Sequence, residues 1–150
     1  MIKMSELFFD RVVVPVANRD DAAATTSALA PYVADADCAV TVVHVIEKAG
    51  GAPDKASVEQ REQRATDIFA IVAEGLDDIE VSFETEILYG TDIAATVIDA
   101  AHDRSASAIV FTPRGGSRWR KLLTGDVTHN LVGNSDIPIL ALPDKEVTET

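Results

Sequence analysis

Four of the chain's thirteen lysines and arginines stand in one short stretch, "TPRGGSRWRKLLTGD" (Thr112 to Asp126), although the whole 150-residue chain carries a formal net charge of -12. Arg114, Arg118, Arg120 and Lys121 around Gly115 and Gly116 have the makings of an anion site. Glycines let backbone N–H groups approach a phosphate closely, and the cations add charge. The rival reading is a basic turn whose cations pair with carboxylates of an acidic neighbour or partner chain, each pair contributing little. Trp119 could stack on a base or on an arginine, or pack against a helix or a subunit contact. No Walker A sequence and no G-x-G-x-x-G fingerprint occurs, so the common nucleotide motifs do not decide between these readings.

Other chemistry is sparse. His44 lies in an apolar strand pattern, where a hydrogen-bonded core residue is expected. His102 and His129 fall on predicted helices without metal-ligand spacing, so no metal site is predicted. No G-x-S-x-G elbow or Cys/His pairing is legible, and the paired acids Asp20/Asp21 and Asp77/Asp78 read as turns or solvated helix ends. Cys38, the single cysteine, opens the run "CAVTVVHVI" and reads as core packing. No catalytic residue is assigned, and the expectation is a protein that is not an enzyme.

The elements that must position the basic stretch alternate regularly. "RVVVPV" (11–16), "CAVTVVHV" (38–45), "EVSFETEIL" (80–88), "SAIVFT" (107–112) and "IPILAL" (137–142) read as strands. The third alternates Val81, Phe83, Thr85 and Ile87 against Ser82, Glu84 and Glu86, as a half-exposed edge strand would, with Tyr89 and Gly90 ending it. A helix is expected from about Asp20 through "DDAAATTSALAPYV". A second opens with a capping box at Ser57 and Gln60 and buries Ala65, Ile68, Phe69, Val72 and Leu76. A third is capped by Thr91 and buries Ile93, Ala94, Val97, Ile98 and Ala101, and "DVTHNLVGN" has room for a short fourth. The result is an α/β fold, an open, mainly parallel sheet with helices on both faces. In such sheets ligands bind beyond the carboxyl ends of the strands, which singles out "ANRDD" and "PRGGSRWRKLLTG", provided the first and fourth strands are neighbours.

Size and composition narrow the class. The length suits one domain, 1–150, with a core from about 11 to 142 and terminal extensions at 1–10 and 144–150. Twenty-five Asp and Glu face thirteen Lys and Arg, a balance that disfavours nucleic acid and anionic lipid. Such a surface suits a halophilic cytoplasm, since the Debye length is about 3 Å at 1 M salt. No apolar run approaches the roughly 18 residues of a membrane span. "MIKMSELFFD" has no long apolar region or small-residue cleavage site, which predicts a cytoplasmic protein.

The landmarks "VVVPV", "VVHVI", "YGTDIAATVIDAA", "SAIVFTPRG" and "LLTGDVTHNLVGNSDIPILAL", in this order from Arg11 to Leu142, resemble the universal stress protein family. The resemblance implies a five-stranded sheet in the order 3-2-1-4-5, with the first and fourth strands adjacent at one crevice. It also implies a homodimer through the last strand, Ile137 to Leu142. The expected role is regulatory, exerted on a protein partner such as a transporter.

Nucleotide-binding members of that family hold ATP through a G-x2-G-x9-G-[ST] pattern. Mapped here, Thr112 takes the first Gly position, Gly115 the second, Gly125 the third and Asp126 the Ser or Thr position. Thr128 stands where members often have a second phosphate-contacting hydroxyl, and Ala17 where they usually have Asp. The candidate binding residues are therefore Pro15, Ala17, Val45, Phe111, Thr112, Arg114, Gly115, Gly116, Arg118, Gly125, Asp126, Val127 and Thr128. A carboxylate such as Asp126 about 4 Å from a phosphate repels it by roughly 1 to 4 kcal/mol. The four cations, or a divalent ion bridging Asp126 and the phosphates, could offset that. The expectation is a modified crevice for an anionic ligand. ATP or AMP with a divalent ion is the alternative, and phosphate hydrolysis a weaker third.

Overall fold

The computed structural model describes residues 9–34, 37–47, 55–112 and 133–142. Arg11–Pro15 form β1, where three successive valines suit a pleated strand buried on both sides. Helix α1 (Arg19–Val33) follows, capped by Asn18, whose side chain accepts from the Asp21 N–H at 2.8 Å. Pro31 sits in its last turn, where its missing N–H leaves the Ser27 carbonyl without its helical donor. Strand β2 (Ala39–Glu47), helix α2 (Lys55–Gly75), strand β3 (Ser82–Gly90), helix α3 (Ile93–Asp103) and strands β4 (Ala108–Phe111) and β5 (Ile139–Ala141) complete the order.

The five strands form one parallel sheet, β3-β2-β1-β4-β5. This is the order that the resemblance implied, and β3 is an edge strand as its alternation predicted. Two cores lie on its opposite faces. Val12 and Val14 of β1 and Val16 just after it pack with Leu29 and Val33 of α1, Ile68 and Val72 of α2 and Leu76 just after it. Val13 faces the other way, with Ile109 of β4 and Ala94, Val97, Ile98 and Ala101 of α3. Phe9, just before β1, is buried and stacks on Tyr32 with ring centroids 5.5 Å apart.

Local boundaries differ from expectation for physical reasons. Helix α3 is capped by Asp92 rather than Thr91, the Asp92 carboxylate accepting from Ala95 N–H at 3.1 Å. Helix α2 starts at Lys55, so Ser57 lies inside its first turn instead of capping it. Strand β3 runs through Tyr89 and Gly90, because both continue the pairing with Ile46 and Glu47. Gly90 is required there, since a Cβ would overlap the Thr96 side chain of α3. Of the predicted fourth helix, Gly133 and Asn134 are helical and the preceding residues lie outside the described part.

Candidate functional site

The β1–β4 pairing places the two candidate loops side by side. Val13 stands opposite Ile109, so the same register sets Val16 beside Thr112. On the other flank Pro15 pairs with Val43, and Val16 N–H donates to Val43 O at 2.9 Å. The carboxyl ends of β4, β1 and β2 thus form one row, and the β1–α1 turn leaves from its middle.

Five of the thirteen candidate residues are described, and strand alternation divides them. Ala17, Val45 and Phe111 belong to the apolar cluster on the α3 face. Pro15, also buried, shares their phase on β1. Thr112 follows the opposite phase, that of Val110 on the α1/α2 face, and is fully buried. Its hydroxyl has no hydrogen-bond partner among the described residues. Arg114, Gly115, Gly116, Arg118, Gly125, Asp126, Val127 and Thr128 lie outside the described residues, as do Arg120, Lys121, Trp119 and His129.

His44 is a buried core histidine, as expected, and its Nδ1 lies 2.8 Å from Val16 O. Since a carbonyl only accepts, Nδ1 carries the proton. His102 is exposed on α3 and meets Asp136 at 2.7 Å. Cys38 is buried, and burial followed by the charges of Asp10 and Asp37 pushes its thiol up to about 11. A thiol so raised stays protonated and is a poor nucleophile.

Asp21 overturns its expected role. Asp20 is exposed, as a helix-end acid should be, but Asp21 is fully buried. Its Oδ2 accepts from the Ala17 N–H at 2.7 Å, and its Oδ1 lies 3.4 Å from the Thr25 hydroxyl. Burial pushes its carboxyl up to about 8, against the opposing pull of the Ala17 and Thr25 hydrogen bonds. Helix phase was the available signal. Asp21, Thr25, Ala28 and Leu29 share one side at spacings of four, seven and eight, so a buried stripe through Leu29 also passes through Asp21.

A polar group of unusual depth therefore lies at the carboxyl end of β1. Val16 N–H, Val16 C=O and Ala17 N–H all bond within the protein, to Val43, His44 and Asp21. The polar set contributed to the buried row by side chains is Asp21, Thr25, His44 and Thr112. Among the described residues no group of three or more His, Cys, Asp or Glu could hold a metal ion, and no helix is long and apolar enough to cross a membrane.

The family model for the universal stress protein family matches residues 8–143. The chain belongs to that family. A curated relative, the stress response protein NhaX of Bacillus subtilis, is 34% identical over 79 residues, which are 53% of this chain and 47% of the relative. The match thus spans about half of each. The universal stress protein of Archaeoglobus fulgidus in complex with dAMP has a similar fold, with TM-score 0.60, 19% identity and coverage of 90% of this chain and 98% of that one. A family protein of Arabidopsis thaliana with AMP bound aligns with TM-score 0.66 and 13% identity over 94% and 96% of the two chains. At these identities the structural likeness speaks for the fold.

Proposed function

We propose that this chain is a regulatory member of its family, built as one domain and assembling as a homodimer, with a crevice at the carboxyl ends of β4, β1 and β2 that takes an anionic ligand. The observation that supports the reading is the pairing of β1 with β4, which brings the carboxyl end of β4, just before Thr112, next to the start of the β1–α1 turn at Ala17. The loop that follows Thr112 would complete the crevice with Arg114, Gly115, Gly116, Arg118, Gly125, Asp126, Val127 and Thr128, its first Gly and its final Ser or Thr rewritten. Among the described residues β5 is an edge of the sheet, which supports pairing of two subunits through Ile137 to Leu142. Regulation would be exerted on a protein partner such as a transporter, in a cytoplasm of high ionic strength, without catalysis by this chain.

A second reading is favoured by the relatives in complex with dAMP and AMP. Here an adenine nucleotide, with a divalent ion to neutralise Asp126, occupies the crevice, and Arg114, Arg118 and Lys121 replace the lost contacts. Thermal unfolding at high salt with AMP, with ATP and with ATP plus Mg²⁺ separates the two. A ligand at 100 times its Kd stabilises by about 2.7 kcal/mol, or roughly 5 to 10 °C for a chain of this size. A rise with any of the three supports the nucleotide reading, and the absence of any rise removes it.

A further inference from the structure

The β1–α1 turn is tied at both ends by Asn18 and Asp21. Asn18 Oδ1 accepts the Asp21 N–H at 2.8 Å, and Asp21 Oδ2 accepts the Ala17 N–H at 2.7 Å. A solvated aspartate in the first turn would favour the helix dipole equally well. Enclosure therefore adds a desolvation cost that capping does not require.

No cation offsets that cost among the described residues. Arg19 and Asp20 of α1 and Arg64 and Asp67 of α2 line the cleft beside Asn18, and His44 is the buried titratable group of β2. Arg19 bonds to Asp67 at 3.1 Å, and His44 Nδ1 to Val16 O. At this end β1 and β4 supply only apolar side chains and Thr112, and α3 lies on the other face of the sheet.

We propose that Asp21 is a positioning residue for the crevice and that its proton governs how firmly the Ala17–Asn18 turn is held. With the proton on, the carboxyl accepts from Ala17 N–H through Oδ2 and donates from Oδ1 to the Thr25 hydroxyl, satisfying both oxygens in place. With the proton off, the carboxylate binds the Ala17 N–H more strongly but must remain unsolvated. Burial outweighs both hydrogen bonds in setting its acidity, which lies at about 8. Ionisation thus favours states in which the turn opens to water. The inference concerns the chain's own backbone and does not depend on which ligand the crevice takes.

The test is amide exchange by NMR on the full chain from about pH 6 to about pH 9, expressed as protection factors, with the Val16 N–H as internal reference. The expected result is that Ala17 protection falls relative to Val16 by up to about tenfold per pH unit from about pH 6 to about pH 8, where opening releases one proton, and levels off above about pH 8, where the closed state is ionised too. Asp21→Asn, which keeps an acceptor for Ala17 and a donor for Thr25, should give a flat ratio. Asp21→Ala should give low Ala17 protection throughout. A flat wild-type ratio, or the same pH dependence in Asp21→Asn, overturns the proposal. A purely structural Asp21 would lower protection when removed but would show no such profile. The ¹³C titration of the wild-type Asp21 carboxyl provides a check that needs no variant, and a midpoint near 4 would overturn the proposal.

Discussion

The two ends of the strands treat polar groups in opposite ways. At the amino ends, charges and hydroxyls meet partners at or near the surface. Ser107 Oγ accepts the Arg11 N–H at 3.0 Å and donates to Arg11 O at 2.9 Å, Arg11 donates to Arg104 O, and Arg104 pairs with Glu86. Among the described residues at the carboxyl ends, Asp21 is fully enclosed with no cation beside it and the Thr112 hydroxyl is buried without a partner. The first pattern closes the sheet and lowers free energy. The second raises it, as sites shaped for function often do. Polar groups at the two ends should therefore respond to removal with opposite signs.

Asp21→Asn should show the largest effect, a gain in stability. In the unfolded chain the carboxyl titrates near its ordinary 3.8, and in the fold near about 8. Below pH 3.8 both states hold the proton and no penalty exists. As pH rises from 3.8 the unfolded state ionises first, so stability is lost progressively until the folded carboxyl also ionises near pH 8. At pH 7 the variant should be more stable by roughly 2 to 4 kcal/mol, and near pH 4 by almost nothing. Urea unfolding across this range checks it. Equal stability of the two proteins at pH 7 and above would break the contrast.

A smaller pair of changes sharpens the same comparison. Thr112→Val removes a buried hydroxyl and keeps the shape, so it should raise stability by about 1 kcal/mol. Ser107→Ala at the opposite end removes the acceptor of the Arg11 backbone N–H and one donor to its carbonyl, and should lower stability by about 1 kcal/mol, since that carbonyl keeps the Ser107 N–H and the site is exposed to water. Shifts in urea midpoint at constant slope would measure both. The same sign for the two would show that the ends do not differ.

Much of the fold was legible in the residues, because its causes are local and repetitive. Runs such as Val12 to Val14 and Ala108 to Phe111 are buried on both faces and read as strands, and the spacing of Ala65, Ile68 and Val72 marks the inner side of α2. Strand order was different, since periodicity cannot choose neighbours; 3-2-1-4-5 came from the resemblance. At helix starts Thr91 and Asp92 are both good caps, and backbone geometry selects Asp92. The site was legible only in part. His44 was read correctly from its apolar neighbours, whereas Asp21 was assigned to solvent because a tandem Asp-Asp looks like a charged helix end. Only the phase set by Leu29 and Val33 separates the buried Asp21 from the exposed Asp20. The basic loop from Arg114 onwards lies outside the described residues, so its role rests on pattern and chemistry.

The smallest expected effect belongs to Arg104. Its side chain is 24% exposed, and that of its partner Glu86 39%. Solvent therefore screens the pair, and its Nε is buried without a partner among the described residues. Arg104→Gln loses an attraction worth less than about 1 kcal/mol and relieves part of that unmet donor, so the net loss should be a few tenths of a kcal/mol. The loss should shrink further in 1 M salt, where screening acts within about 3 Å. Urea midpoints in low and high salt would measure it. A loss above about 3 kcal/mol that persists in salt would mean that the amino end also holds a buried charge, and the opposition between the two ends would no longer stand.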